Sequence, residues 1–196
     1  MKVLGLDVST SNVGLCLLDT ERPQNASLVL AIGITIGKKK GLYAKSCDVR
    51  EALERVVREH RIDAVVIEES LQAFRSRMSS AHTIATLNRF NGIVSYVART
   101  VTGAPVVLGN VISVRKALGI KLDKKSPVGT KDQVLQWVKC QESMAQFSWP
   151  IKDIKSGPSK GTSRMADHCY DIADAYVMAR WGADNLKITD LDDTIL

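Results

Sequence analysis

The chain has 196 residues and a formal net charge of +6, with 27 Lys and Arg residues against 21 Asp and Glu residues. This length is typical of a single domain, and a hydrophobic content of 45% excludes a disordered chain. The basic balance favours an anionic partner such as nucleic acid or an acidic membrane surface, although a soluble basic protein without such a partner has the same composition.

The cysteines are spread along the chain, with no C-x-x-C pair and no zinc-finger spacing. We therefore expect free thiols in a reducing compartment. The sequence opens directly on a strand-like segment, so we expect no secretory signal or transit peptide. No apolar run approaches the roughly 20 residues of a membrane span. These features predict a soluble intracellular protein of the nucleoid or cytoplasm and leave an organellar or viral origin open.

Three strands open the predicted fold, over residues 2–8, 13–19 and 28–36. The first two are short apolar runs joined by the turn-forming residues 9–12, which is typical of a β-hairpin. The third continues the β pattern and ends before Gly37. We therefore expect the first three strands to be antiparallel.

Helices and strands alternate in the middle of the chain. Apolar residues recur at helical spacing over residues 47–61, and the continuous apolar run 64–67 is typical of a buried strand. A long helix follows over residues 79–102, with apolar positions on more than one side. A last short strand covers residues 106–108. The order predicts an α/β fold, in which helices flank a mixed five-stranded sheet.

The C-terminal third is predicted to be helical, with polar loops between its helices. The predicted helices cover residues 113–118, 132–139 and 165–181. The Lys-rich segment 141–164 contains Pro and Gly and is predicted to be a basic surface-loop insertion. We expect residues 1–184 to form a single domain and residues 185–196 to form an acidic tail.

Several carboxylates lie where the pattern predicts burial. Asp7 interrupts an apolar strand, and Glu68 and Glu69 end a strand that otherwise belongs to the core. Burying an unpaired carboxylate is costly, so each of these acids has a partner or faces a site. Because adjacent strand residues point to opposite faces, only one of the two glutamates shares a face with Asp7.

The last predicted helix carries acids on one side. Asp171 and Asp174 are three residues apart, and Asp167 lies one turn earlier in the same stripe. The neighbouring apolar positions, which can pack on the sheet, are Ile172, Ala175, Tyr176 and Ala179. If this helix crosses the sheet near the acidic strand ends, the carboxylates converge and repel one another unless divalent cations lie between them. Oxygen ligands favour Mg²⁺ or Mn²⁺, and paired ions of this kind catalyse phosphodiester hydrolysis.

Each acid also has an ordinary structural explanation. Asp171 and Asp174 alone fit a solvated helix face, and Asp7 alone fits a turn cap. Glu68 and Glu69 fit the surface end of a strand. The complete set in this order favours a metal site over these separate explanations.

Four short motifs follow one another along the chain. They are LGLD at residues 4–7 with Ser9 and NVG at 12–14, VIE at 66–68, KDQV at 131–134 and DIADA at 171–175. In this order they resemble the motifs of RuvC-type Holliday-junction resolvases, which belong to the ribonuclease H-like superfamily. The resemblance spans most of the chain and implies a ribonuclease H-like fold.

The resemblance implies a DNA endonuclease that resolves Holliday junctions by paired symmetric nicks through two-metal-ion phosphodiester hydrolysis. The implied ligands of two Mg²⁺ ions, for which Mn²⁺ would substitute, are Asp7, Glu68, Asp171 and Asp174. Lys131 matches the family's basic residue near the scissile phosphate, unless it only caps the helix that begins at Asp132. Further candidate metal ligands are Asp167, His168 and Glu69, with a packed or surface role as the alternative for His168.

DNA contacts are expected both beside the active site and away from the cut. Where the family often places an aromatic residue for stacking at the junction centre, this chain has Leu71, and the nearest aromatic residue is Phe74. We expect one of these to act as an apolar wedge, beside Arg75 and Arg77. Further predicted DNA contacts are Arg115, Lys116, Lys124, Lys125, Lys152, Lys155, Lys160 and Arg164. Segment 141–164 is longer and more basic than in the bacterial members, which indicates a divergent relative.

The resemblance also implies a homodimer with the predicted helix 79–102 at its interface, because two sites related by a two-fold axis suit a symmetric junction. The expected partners are four-way junction or branched DNA and a second copy of the chain, with no membrane. A branch-migration helicase partner is left open.

Two alternatives use the same residues differently. A related ribonuclease H-like nuclease that cuts RNA or other branched DNA would need the same acids. Residues 5–11 also resemble the phosphate-binding turn of sugar kinases and other actin-like ATPases, which need a second such domain. A non-catalytic nucleic-acid-binding scaffold would have no reason to keep buried acids.

Overall fold

The computed structural model describes residues 1–37, 41–70 and 81–187. Its main sheet has five strands in the order β3-β2-β1-β4-β5. The strands are β1 (Lys2–Val8), β2 (Asn12–Asp19), β3 (Leu28–Thr35), β4 (Ala64–Glu68) and β5 (Val106–Gly109). The first three are antiparallel, whereas β4 runs parallel to both β1 and β5. The predicted mixed sheet is confirmed.

The helices cover the two faces of the sheet. They are α1 (Leu42–Glu59), α2 (Ala81–Thr102), α3 (Val111–Ala117), α4 (Thr130–Lys139) and α5 (Cys169–Asn185). Side chains alternate along β1, so Leu4 and Leu6 enter the core formed with α1 and α2. Val3 enters the opposite core, which α5 fills with α3 and α4. Among the described helices, none is long and apolar enough to cross a membrane.

Two helices begin four or five residues away from their predicted starts. Helix α1 begins at Leu42 instead of residue 47, because its first turn buries polar residues that the apolar repeat does not reveal. Of these, Lys45 donates a 2.6 Å hydrogen bond to the carbonyl oxygen of Thr10. Helix α5 begins at Cys169 instead of residue 165, because Met165 pairs with Ile151 in a small sheet.

The prediction of one surface loop over residues 141–164 is wrong in two places. Glu142–Met144 forms a 3₁₀ turn that packs against α5, where the Ser143 hydroxyl is 2.7 Å from the Tyr176 hydroxyl. Strands β6 (Ile151–Asp153) and β7 (Ser163–Met165) then pair as an antiparallel hairpin. These strands are short, and their exposed side chains show no apolar alternation, so the sequence pattern does not indicate them.

Some predicted features lie outside the described residues. These are the DNA-contact candidates Leu71, Phe74, Arg75 and Arg77, the first two residues of the predicted helix 79–102, and residues 188–196 of the predicted tail.

Candidate active site

Helix α5 lies directly on the sheet because glycines form the surface beneath it. A Cβ atom on Gly5 of β1 would collide with the backbone of Ala175. A Cβ atom on Gly14 of β2 would collide with the carbonyl group of Asp171. Since only glycine permits this close approach, these two positions fix how near α5 can come to the strands.

The same contact brings Asp171 close to Asp7. Gly14 is the cross-strand partner of Asp7 in the register of β1 and β2. Asp7 also shares a strand face with Gly5, which is the face that α5 covers. The first turn of α5 therefore lies over the end of β1, with Asp174 one turn further along the helix.

Glu68 reaches this face from the neighbouring parallel strand. Leu6 of β1 pairs with Ile67 of β4, so Asp7 and Glu68 follow at the same ends of their strands. Val66 lies in the core beneath α5, and Glu68 shares its face. The buried side-chain amide of Asn91 in α2 donates a 2.9 Å hydrogen bond to the Glu68 carbonyl oxygen, which anchors this strand end.

The pKa values of the four carboxylates are all raised, chiefly by burial. Burial, followed by the charges of Glu68, Asp174 and Asp171, raises the pKa of Asp7 well above its ordinary value. Burial and the charge of Asp174 raise the pKa of Glu68 to about 7. Burial is also the main cause of the raised pKa values of Asp171 and Asp174. A nearby cation stabilises the ionised form of such buried carboxylates.

Arg115 supplies one such cation. Its guanidinium forms a 3.0 Å ion pair with Asp174, and the two side chains are only 19% and 13% exposed. Its charge also lowers the pKa of Glu68. Among the described residues, the buried Nε of Arg115 is left without a hydrogen-bond partner. The sequence predicts Arg115 as a DNA contact, and the structure pairs its guanidinium with a carboxylate of this site.

Lys131 supplies a second cation, from the first turn of α4. Its charge lowers the pKa values of all four carboxylates. Its ammonium lies 6.0 Å from the ring centroid of Tyr170, and the Tyr170 hydroxyl donates a 2.6 Å hydrogen bond to Asp132. These contacts join the start of α4 to the start of α5.

The donor chemistry of this cluster fits a hard divalent cation. Carboxylate oxygens are the ligands that Mg²⁺ prefers, and the raised pKa values of Asp7 and Glu68 reflect burial first and then the negative charge of the neighbouring acids. Within residues 1–37, 41–70 and 81–187, however, no three His, Cys, Asp or Glu side chains form a ready-made metal cluster. The acids are close enough to interact electrostatically but are not preassembled around an ion.

The three additional candidate ligands lie in different surroundings. Glu69 accepts a 3.3 Å hydrogen bond from the side chain of Asn110 and points to the opposite face from Glu68. The predicted acidic stripe does not include Asp167, which precedes α5 and pairs with Lys152 and Arg164. His168 packs its imidazole against Gly33 of β3, and its charge lowers the pKa of Asp171.

The other described DNA-contact candidates are exposed. They are Lys116, Lys124, Lys125, Lys152, Lys155, Lys160 and Arg164. Sequence patterns had not indicated the glycines beneath α5, the anchoring amide of Asn91 or the ion pair of Arg115. Gly5 and Gly14 within apolar strands were the available signal, since glycine in a strand often marks a close backbone approach.

Known proteins with similar sequences are junction endonucleases. The chain is 26% identical over 152 residues to the crossover junction endodeoxyribonuclease RuvC of Campylobacter concisus, covering 68% of this chain and 92% of that protein. It is 25% identical over 188 residues to the RuvC protein of Campylobacter jejuni, covering 96% of this chain and 99% of that protein. No family model matches the chain.

Solved structures of related proteins share the fold. Thermus thermophilus RuvC in complex with a Holliday junction substrate has a TM-score of 0.60 at 16% identity, covering 94% of this chain and 95% of the other. The yeast mitochondrial Holliday junction resolvase Ydc2 has a TM-score of 0.53 at 17% identity, covering 92% of this chain and 77% of the other. The predicted resemblance to RuvC-type resolvases and the ribonuclease H-like fold are confirmed.

Proposed function

We propose that this divergent relative of the RuvC-type resolvases is a metal-dependent DNA endonuclease that resolves Holliday junctions. The observation that carries the proposal is the cluster of Asp7, Glu68, Asp171 and Asp174, which interact electrostatically beneath the start of α5. Purely structural carboxylates are not gathered in this way, because each raises the cost of ionising the others. The relatives with comparable length carry the name of a junction endonuclease.

In the proposed mechanism, the four carboxylates would hold two Mg²⁺ ions, for which Mn²⁺ would substitute. Bound metal of this kind activates water as a nucleophile and stabilises charge on phosphoryl oxygens. The chain's own contribution is to hold the acids on rigid elements. Asp7 and Glu68 come from neighbouring strand ends, and Asp171 and Asp174 come from the first turns of one helix.

Lys131 and Arg115 are the proposed phosphate-facing cations. Both act electrostatically on the carboxylates, so both lie close to where a phosphodiester would bind. A fixed positive charge stabilises the negative charge that grows on the phosphate in the transition state. Arg115 also pairs with Asp174, which offsets part of the repulsion among the acids before substrate arrives.

Two copies of the chain are proposed to act together. In α2, Arg89, Gly92 and Tyr96 lie on an exposed face, and the Tyr96 side chain is 71% exposed. An isologous contact through this helix would relate two sites by a two-fold axis. Such a dimer would cut opposing strands of a four-way junction symmetrically.

A substrate panel tests the proposal. Labelled four-way junctions, duplex DNA, single strands and RNA–DNA hybrids are incubated with the full chain and Mg²⁺, and the products are separated on a denaturing gel. Preferential, Mg²⁺-dependent nicking of the junction in two opposing strands supports the proposal. Cleavage of RNA or of other branched DNA, with the four-way junction left uncut, would favour the alternative nuclease. ATP hydrolysis in a parallel assay, without cleavage of any nucleic acid, would favour the kinase-like alternative.

A further inference from the structure

The hairpin of β6 and β7 is a basic element beside the candidate active site. Its exposed basic residues are Lys152, Lys155, Lys160 and Arg164. The base of the hairpin is attached to the start of α5, because the amide of Ala166 donates a 2.9 Å hydrogen bond to the carbonyl oxygen of Pro150. The hairpin is therefore anchored next to the helix that carries Asp171.

Two of these cations face each other across the hairpin. Lys152 and Arg164 are direct partners in the register of β6 and β7. Like charges in directly opposed positions destabilise a pair of strands. Asp167 relieves this repulsion, because one of its oxygens lies 3.5 Å from the Lys152 ammonium and the other 3.0 Å from the Arg164 guanidinium. A single anion thus bridges the two cations.

The bridge is open to solvent and weak. The side chains of Lys152 and Arg164 are each 57% exposed, and that of Asp167 is 61% exposed. Exposed ion pairs contribute about 0–1 kcal/mol and are screened by salt. Another anion can therefore displace Asp167. A phosphate suits this role, because it accepts two parallel hydrogen bonds from a guanidinium.

A cleft of about 910 Å³ adjoins the same cations. Lys152, Lys155 and Arg164 line it together with the hydroxyl-bearing residues Ser156 and Ser159, and the carboxylate of Asp153 also belongs to the lining. Positive charge and hydroxyl groups in a concave surface suit the phosphate backbone of DNA. The described residues that line the cleft include no aromatic side chain on which a base could stack.

We propose that Lys152, Lys155 and Arg164 form a binding site for DNA backbone phosphate beside the active site, and that Asp167 occupies it as a competing carboxylate until DNA arrives. The inference rests on the proposed function and specifies how its substrate is held. In this account Asp167 limits the affinity for DNA and does not bind metal.

Replacing Asp167 by Asn tests this competition, with Asp153→Asn as the matched control. Both substitutions remove one negative charge beside the hairpin's cations, but Asp153 accepts a hydrogen bond from the Ser163 hydroxyl and has no ion pair among the described residues. Binding of fluorescent four-way junction and plain duplex DNA is measured by anisotropy in EDTA over a range of salt concentrations. We expect Asp167→Asn to lower Kd by about two- to fivefold at low salt, which corresponds to one exposed ion pair.

The cation substitutions supply the second half of the test. Lys152→Ala and Arg164→Ala should each weaken binding to both DNAs and reduce the salt slope by about 0.9. In the double substitution Asp167→Asn with Arg164→Ala, the gain in affinity should shrink, because the released cation is gone.

Three outcomes overturn the inference. One is an unchanged or higher Kd for Asp167→Asn, and another is an equal gain for Asp153→Asn, which would reflect net charge alone. The third is loss of cleavage by Asp167→Asn at saturating enzyme without tighter binding, which would place Asp167 among the metal ligands. In each case, junction cleavage by the unmodified chain remains a separate observation, so the proposed function can stand when this inference fails.

Discussion

The carboxylates beneath α5 should separate cleavage from binding when they are neutralised one at a time. We expect Asp7→Asn, Glu68→Gln, Asp171→Asn and Asp174→Asn each to abolish junction cleavage. DNA affinity should be kept, because Lys and Arg contacts to phosphate dominate it. Gel assays of cleavage in Mg²⁺ and of binding in EDTA measure the two properties.

Glu69→Gln is the matched control for Glu68→Gln, because Glu69 directly follows the last residue of β4 and its side chain accepts a hydrogen bond from Asn110. The control should retain cleavage. If Glu69→Gln were inactive and Glu68→Gln active, the acidic position would be one residue from where we place it.

Lys131 should affect the rate of cleavage more than the affinity. Its charge acts on all four carboxylates, so it is placed to stabilise charge growing on the phosphate. We expect Lys131→Ala to lower the single-turnover rate at saturating enzyme by tenfold or more, about 1.4 kcal/mol. Lys139→Ala, at the other end of α4, is the control and should leave the rate unchanged. An unchanged rate for Lys131→Ala would show that this lysine only caps the start of α4 and does not take part in cleavage.

The raised pKa of Glu68 predicts how stability depends on pH without metal. Its pKa is about 7 in the folded chain and 4.5 ordinarily, so the folded state binds more protons between these values. Stability is therefore highest at the acidic end of this window and falls as pH rises towards 7. Urea unfolding in EDTA at pH 5 and pH 7 should show a loss of the order of 1–3 kcal/mol. Glu68→Gln should reduce that loss, and an identical loss in both proteins would contradict the assignment.

At the scale of elements, the approach of α5 to the sheet determines where its acids lie. Gly14→Ala would force a Cβ atom against the Asp171 carbonyl and push the helix outward. We expect a loss of stability of about 1–3 kcal/mol together with impaired cleavage. Gly41→Ala is the control, because its backbone φ of −66° suits alanine and no atom lies within 4 Å of an added Cβ. Equal thermal stability of Gly14→Ala and the unmodified chain would show that α5 does not depend on this contact.

The strands were predictable because their signals are local. Apolar runs gave the five strands of the main sheet within a residue or so of their observed ends, and alternation put Glu68 and Glu69 on opposite faces. The hairpin of β6 and β7 was not predicted because its strands form through cross-strand pairing, which leaves no periodic pattern in the sequence. The ion pair of Arg115 with Asp174 was not predicted for a similar reason, since the two residues are distant in sequence.

At the scale of the whole molecule, we propose that two copies of the chain, each with one active site, act on a symmetric substrate. The acids, Lys131 and Arg115 lie at one end of the sheet, whereas the exposed face of α2 is proposed to hold a second copy. Two sites held in one dimer cut twice before the DNA is released, whereas independent monomers cut one strand at a time. Whether the two cuts occur in one binding event therefore distinguishes a dimer from independent monomers.

Cleavage of a supercoiled plasmid that extrudes a four-way cruciform tests the central claim most directly. With Mg²⁺, the full chain should convert the plasmid to linear DNA by paired nicks within one binding event, with little nicked circle accumulating. Glu68→Gln should leave the plasmid supercoiled, and a plasmid without the cruciform should remain uncut. Uncut cruciform plasmid in the presence of bound, folded protein would contradict the account, and so would nicked circles as the final product.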